Sequence, residues 1–201
     1  MRKLTEDKKI KAAGGTLPYC LKELKKHLFS DLEGKTQEAF LFAALAHQGQ
    51  YRKGSGLDYI IHPTHVACIL AKYTDPTPEL VQAALLHDTI EDTKTSYGDI
   101  KERFGAGVAN LVSQLTTTNR PGLKRAEKVN VEAERLAAVL PEAQDIKRCD
   151  MYSNVRGMFE AKPDFAPQYA GEKLLMHNAM QNGNPQIKSL LDRMFRDLEV
   201  V

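Results

Sequence analysis

At 201 residues the chain is long enough to bury a core without disulfide support, and its net charge of +2 gives no overall field to attract nucleic acid or a membrane. Its three cysteines, Cys20, Cys68 and Cys149, are widely spaced and form no CxxC pair, which excludes a disulfide framework and a zinc ribbon. No apolar run is long enough to cross a bilayer, and Glu6 to Lys9 stand where a signal peptide needs an apolar stretch, so a cytoplasmic protein is expected.

Apolar residues recur at three- and four-residue spacing through most of the chain, which predicts helices and no sheet. Leu17 to Leu28 forms a short helix, stopped near Gly34. Thr36 caps the next, which carries Phe40, Ala43, Ala44 and Ala46 towards His47. Gly49 to Asp58 is a glycine-rich loop, and Pro63 suits the first turn of a helix continuing to Tyr73. After the breaker Asp75-Pro76-Thr77-Pro78, a longer helix runs from about Pro78 to Asp92. Ser96 starts a helix that Gly105 stops, and Gly107 to Thr116 forms another. A turn at Asn119-Arg120-Pro121-Gly122 precedes an amphipathic helix from Lys124 to Leu140. Pro141 opens a helix through Asp150 to Phe159, and the tail, about Gln168 to Val201, holds two helices split at Asn182 to Pro185. The expectation is one all-α domain over 1–201, a bundle of roughly eight to eleven helices. Packing is the default role for residues 1–35 and 161–201.

The chemistry concentrates on the helix ending at Asp92. At about 100° per residue, Glu91 falls roughly 40° from His87, Asp88 about 100° and Asp92 about 140°. Four ionisable groups thus end an apolar stripe, at the helix terminus where the macrodipole disfavours negative charge. A cation is the simplest compensation. A lone His-Asp pair on a helix is more often a surface or capping feature. His62 before Pro63, Asp150 on a late helix, and Glu91-Asp92 are what favour a site.

The run Ala46-His47-Gln48-Gly49-Gln50-Tyr51-Arg52-Lys53, followed by Tyr59-Ile60-Ile61-His62-Pro63, resembles the opening motif of the RelA/SpoT-type alarmone hydrolases of the HD superfamily. Ala83 to Thr93 resembles that family's central motif. Ile100 to Gly105 and Val108 to Val112 match the helices that follow, and Ile146-Lys147 to Asp150, Asn154 and Arg156 match the last motif. The resemblance covers roughly 36–160 and implies a stand-alone hydrolase without the family's nucleotide synthetase domain.

That resemblance implies an HD-domain bundle in which His62, His87, Asp88 and Asp150 bind one Mn²⁺. A donor set of imidazole and carboxylate without thiolate suits Mn²⁺ or Fe²⁺ better than structural zinc. It implies Glu91 and Asp92 as the catalytic pair, with ion pairing to Lys94 or Lys101 as their alternative use. Arg52, Lys53 and Asn154 would hold a small-molecule nucleotide, and the reaction would convert ppGpp or pppGpp to GDP or GTP plus pyrophosphate. His47 is either core or a neighbour of the site, His65 and His177 are structural, and Tyr51 and Tyr59 either line the pocket or pack.

The chain departs from the pattern at Met151-Tyr152-Ser153, where the family commonly has Arg-Leu-His/Asp, and at Gly157, where a hydroxyl residue is common. The same metal site acting on NADPH or an adenosine alarmone therefore stays open, as does a catalytically inert nucleotide-binding module. Oligomeric state, regulation and any toxin partner are not legible in the sequence.

Overall fold

The computed structural model describes residues 15–28, 34–118 and 120–200. Its regular elements are all helices: α1 (Thr16–Leu28), α2 (Gly34–Ala46), α3 (Ile61–Tyr73), α4 (Pro78–Leu86), α5 (Thr89–Asp92), α6 (Tyr97–Phe104), α7 (Ala106–Leu115), α8 (Arg125–Ala137), α9 (Pro141–Ala161), α10 (Ala166–Ala179) and α11 (Pro185–Asp197). The bundle is all-α as expected; the only extended pairing among the described residues is an isolated bridge between Tyr51 and Asp58. No described helix is long and apolar enough to cross a membrane.

Helix ends follow local chemistry. Thr77 caps α4 by accepting from the Leu80 amide, with Pro78 in the first turn. Ser96 and Asp99 form a capping box on α6, and Gly105, at φ 93°, ends α6 and begins α7. α2 begins at Gly34, so Thr36 is not its cap but a buried residue of its first turn. Of the expected turn before α8, Asn119 lies outside the described residues, while Pro121 and Gly122 do form a turn.

α4 is the centre of the bundle. Val81 to Leu86 is buried without interruption, against α2, α3 and α7, as expected of a helix apolar on all sides. One core joins Phe40, Leu70, Leu85, Ile100 and Ile146; a second joins Leu136, Met151, Val155, Met180 and Phe195. α9 contributes to both, so it joins the two cores. Its buried Arg148 donates to the carbonyls of Met180 and Asn182, both at 2.6 Å, pinning the α10–α11 loop.

The expected helix from Pro78 to Asp92 is interrupted. α4 stops at Leu86, Asp88 takes φ −96° and ψ −4°, and α5 is a single turn beginning at Thr89. The Thr89 hydroxyl donates to the Leu86 carbonyl at 2.7 Å, satisfying a group released by the break. Angular positions counted past His87 on a continuous helix therefore do not hold.

Candidate metal centre

Three packed neighbours, α3, the α4–α5 junction and α9, bring distant residues to one point. His62 lies in the first turn of α3, His87 and Asp88 form the break after α4, and Asp150 is midway along α9. The break matters because it turns the Asp88 carboxylate towards the imidazoles: Asp88 Oδ2 is 3.1 Å from His87 Nε2 and 3.5 Å from His62 Nε2. From α9, Asp150 Oδ1 stands 3.0 Å from His62 Nε2 and 3.8 Å from His87 Nε2.

These atoms fit a divalent ion. Ligands about 2.1 Å from an octahedral ion and at right angles stand roughly 3 Å apart, close to the separations found. His62, His87 and Asp88 offer ligand atoms all within 4.8 Å of one another. Both Nε2 atoms are buried without a hydrogen-bond partner, although carboxylate oxygens lie nearby. His87 Nδ1 donates to the Ala84 carbonyl at 2.8 Å, which leaves its Nε2 facing the cluster. His62 Nδ1 meets Ser153 Oγ at 3.2 Å.

The local field also seeks positive charge. Burial opposes protonation of His87, yet Asp88 and Asp150 raise its pKa to about 10. Burial lowers that of His62, the opposing pull of Asp150 and Asp88 being insufficient. Burial opposes charge on Asp88 and Asp150 too, but the His87 imidazole holds Asp88 ionised, and the Lys147 ammonium does the same for Asp150.

Glu91 and Asp92 sit one turn beyond the cluster on α5. Partial desolvation raises both carboxyls above their ordinary values. Glu91 Oε2 accepts from the Thr117 amide at 2.6 Å, so it reaches towards the α7–α8 connection; neither acid forms an ion pair with Lys94 or Lys101. Arg52 Nη2 donates to Asn154 Oδ1 at 3.0 Å, and the Asn154 amide in turn donates to Asp150. This joins the Gly49–Asp58 loop to the metal cluster. Lys53 is exposed, with no hydrogen bond or ion pair to the others among the described residues.

The loop itself is ordered by the Arg52 amide donating to the Leu57 carbonyl, and the Tyr59 amide to that of Gln50. Gly54, at φ 95°, lies so close to Ala161 of α9 that any side chain would collide with it. That close approach holds Arg52 over Asn154.

Motif reading gave Lys147 no role in the site and left those of Tyr59 and His47 open. Lys147 Nζ pairs with Asp150 Oδ2 at 3.0 Å, and its spacing of three on one helix was the available signal. Tyr59 donates to Asp88 Oδ2 at 2.7 Å, resolving it as part of the site, whereas Tyr51 is exposed. His47 stacks on Tyr59, with ring centroids 4.7 Å apart, and is a neighbour of the site as well as buried. His177 is structural, pairing with Asp192 at 2.9 Å.

Two imidazoles and two carboxylates drawn from separate helices onto one buried point define the fold and site as those of an HD-domain, metal-dependent hydrolase. The HD domain family matches residues 39–150. The bifunctional (p)ppGpp synthase/hydrolase SpoT of Escherichia coli is 35% identical over 85% of this chain, which spans only 25% of that relative's length. The human guanosine-3′,5′-bis(diphosphate) 3′-pyrophosphohydrolase MESH1 is 33% identical over 79% of this chain and 92% of its own. A solved structure described as a metazoan ortholog of SpoT that hydrolyzes ppGpp superposes with a TM-score of 0.76 at 27% identity, covering 84% of this chain and 98% of that one. The chain belongs to the HD-domain family and is a homologue of the SpoT- and MESH1-type hydrolases, including their stand-alone members.

Proposed function

We propose that this chain is a Mn²⁺-dependent pyrophosphohydrolase of guanosine alarmones, releasing pyrophosphate from the 3′ position of ppGpp or pppGpp. The observation that carries the reading is the pair of buried, unpartnered Nε2 atoms facing Asp88 and Asp150, joined through Asn154 to Arg52. His62, His87, Asp88 and Asp150 are the ligands. The ion, when bound, supplies a Lewis acid for the phosphoryl group and lowers the pKa of a water molecule.

The remaining work falls to side chains of the chain itself. Glu91, anchored by the Thr117 amide, and Asp92 orient the attacking water and take up its proton. A carboxyl with a raised pKa is a better proton acceptor than one at its ordinary value, and desolvation provides this at both positions. Arg52 presents a planar guanidinium to base or phosphate while Asn154 fixes its direction, and the exposed Lys53 adds a point charge beside it. The motif-bearing part, about 36–160, contains all these groups within one functional domain.

A second reading keeps the metal centre and changes the substrate to NADPH or an adenosine alarmone. One observation favours it: at Gly157, where a Cβ would make ordinary contact with Arg52 Nη2 at 3.6 Å, the chain supplies no hydroxyl to help hold the nucleotide. Incubation of the protein with Mn²⁺ and a panel of ppGpp, pppGpp, NADPH and adenosine alarmones, followed by ion-exchange separation, tests the two. Pyrophosphate release from ppGpp is expected; turnover of NADPH or adenosine compounds alone overturns the guanosine reading.

A further inference from the structure

The two acids of α5 are anchored in different ways. Glu91 has the Thr117 amide on its carboxylate at 2.6 Å. The Asp92 carboxylate meets the Tyr59 hydroxyl only at 3.5 Å, while that hydroxyl donates to Asp88 at 2.7 Å. Asp92 also ends a helix of one turn, which has no stability of its own. It is fixed instead through its backbone, where Gln50 Nε2 donates to its carbonyl at 2.7 Å.

That contact is exposed and borders a cavity of about 540 Å³, lined in part by Gln50, Asp92, Thr93 and Lys94. Water competes for a hydrogen bond at such an edge, so the bond orders Asp92 only if Gln50 is itself held. His47 holds it. His47 is 3% exposed, and its Nδ1 meets Gln50 Oε1 at 2.8 Å. The Gln50 backbone is tied as well, its amide donating to the His47 carbonyl and its carbonyl accepting from the Tyr59 amide, both at 3.0 Å.

The tautomer follows from this chain of partners. The Asp92 carbonyl can only accept, so Gln50 turns its amino group towards it and its oxygen towards His47. That oxygen can only accept too, so His47 Nδ1 carries the proton. Burial lowers the pKa of His47 and keeps the ring neutral, leaving Nε2 a bare acceptor, buried and without a partner. An apolar ring in the same place would avoid that orphan but could not supply the Nδ1 donor. The imidazole also lies against Tyr59, with ring centroids 4.7 Å apart, so one residue touches both the donor to Asp88 and the anchor of Asp92.

We propose that His47 and Gln50 are positioning residues for the reaction, a two-bond relay that fixes Asp92 relative to the metal cluster. This rests on the hydrolase reading and deepens it. Asp92 works at a set place because a buried imidazole from the end of α2 holds its backbone through Gln50.

The test is a double-mutant cycle on the full chain with Mn²⁺, using whichever of ppGpp, pppGpp, NADPH and adenosine alarmones the wild type turns over fastest. His47→Phe keeps a ring against Tyr59 but removes the donor, and Gln50→Met removes both amide bonds. Each should lower kcat by about 10-fold, the scale of an outer partner, with KM and Mn²⁺ affinity within about 2-fold of wild type. The double variant should fall no more than about 2-fold below the worse single one, because one relay is removed only once. His47→Asn, whose side-chain amide can donate from the Nδ1 position, should return kcat to within about 3-fold of wild type. The side-chain amide of Gln50, followed by NMR in the metal-free chain, reads the relay without turnover, and in His47→Phe it should shift to the resonance of a solvated amide. Unchanged kcat in either single variant overturns the relay, as do losses that multiply in the double, losses that track Mn²⁺ affinity, or a Gln50 amide already solvated in the wild type. A wild type inert on every compound, with the Gln50 amide still bound, removes the hydrolase reading instead, and this use of the relay with it.

Discussion

The hydroxyl of Tyr59 donates to Asp88 Oδ2 at 2.7 Å, the same oxygen that lies 3.1 Å from His87 Nε2. Burial and the Asp88 charge raise the Tyr59 pKa, so the hydroxyl keeps its proton and acts as a fixed donor. Its ring packs between His47 and His62, at 4.7 and 5.7 Å, and beneath Arg52 at 5.9 Å. Tyr59 thus sets the rotation of one carboxylate while touching both the imidazole cluster and the basic loop. Outer partners of this kind typically change metal affinity by about 10–100-fold. Tyr59→Phe should weaken Mn²⁺ binding by about 10-fold with little change in thermal stability. Calorimetric titration giving wild-type affinity would show that the hydroxyl does not order Asp88.

Glu91 and Asp88 make a contrasting pair, three residues apart but facing different partners. Asp88→Ala removes an atom facing both imidazoles, and Mn²⁺ binding should be lost. Glu91→Gln keeps the side-chain shape, and its amide oxygen can still accept from Thr117, but it cannot take a proton. Metal uptake should survive while turnover falls by about 10²–10⁴-fold, the range of general acid–base catalysis. Because desolvation raises the Glu91 pKa, its carboxylate form is gained above the ordinary value of 4.5. The acid limb of wild-type kcat should therefore lie above pH 4.5. Unchanged turnover in Glu91→Gln would remove this residue from the mechanism.

Most of the fold was legible because its signals are local. Ser96 with Asp99, Thr77 with Pro78, and Asn184 with Pro185 each announce a helix start, and each caps or opens one. The break at His87-Asp88 was not legible, since Ala83 to Asp92 keeps an unbroken helical pattern; the Thr89 hydroxyl, which closes the Leu86 carbonyl, acts only once the chain has turned. The motifs gave roles to His62, His87, Asp88 and Asp150, whereas those of Tyr59, Lys147 and Ser153 came from contacts 29, 3 and 91 residues away. Ser153 is instructive, because it departs from the family pattern and yet meets the Nδ1 of His62. Periodicity reports which face a residue occupies, not which distant helix comes to lie against it.

Gly183 tests how α9 holds the C-terminal helices. At φ 99°, it sits where a Cβ would strike the Asp145 carboxylate and lie 2.8 Å from Arg148 Nη1. Asp145 Oδ1 accepts from the Asn184 amide at 2.7 Å, and Arg148 Nη1 donates to the Asn182 carbonyl. Gly183→Ala combines an unfavourable backbone with the displacement of two part-buried bonds, and should cost about 2–4 kcal/mol in denaturant unfolding. A half-buried helical glycine with no neighbour within 4 Å of its Cβ position, Gly171, is the control, and Gly171→Ala should not destabilise. Equal effects at the two positions would contradict the close packing at Gly183.

His177 gives the bundle a pH dependence separate from the metal cluster. It is buried beside Phe195, with Nε2 facing Asp192 Oδ1 at 2.9 Å and Nδ1 without a partner. Burial lowers its pKa despite the raising effect of Asp192, so the folded chain favours the neutral ring. The unfolded chain gains the proton near pH 6.5 and the folded chain only at lower pH. The stability associated with a neutral His177 is thus complete above pH 6.5, and is lost as pH falls from there through the depressed folded value. His177→Gln should lower stability at pH 7.5 but lose less on acidification to pH 5 than the wild type does. Urea midpoints at both pH values read the difference directly, and parallel losses in the two proteins would place the acid sensitivity elsewhere.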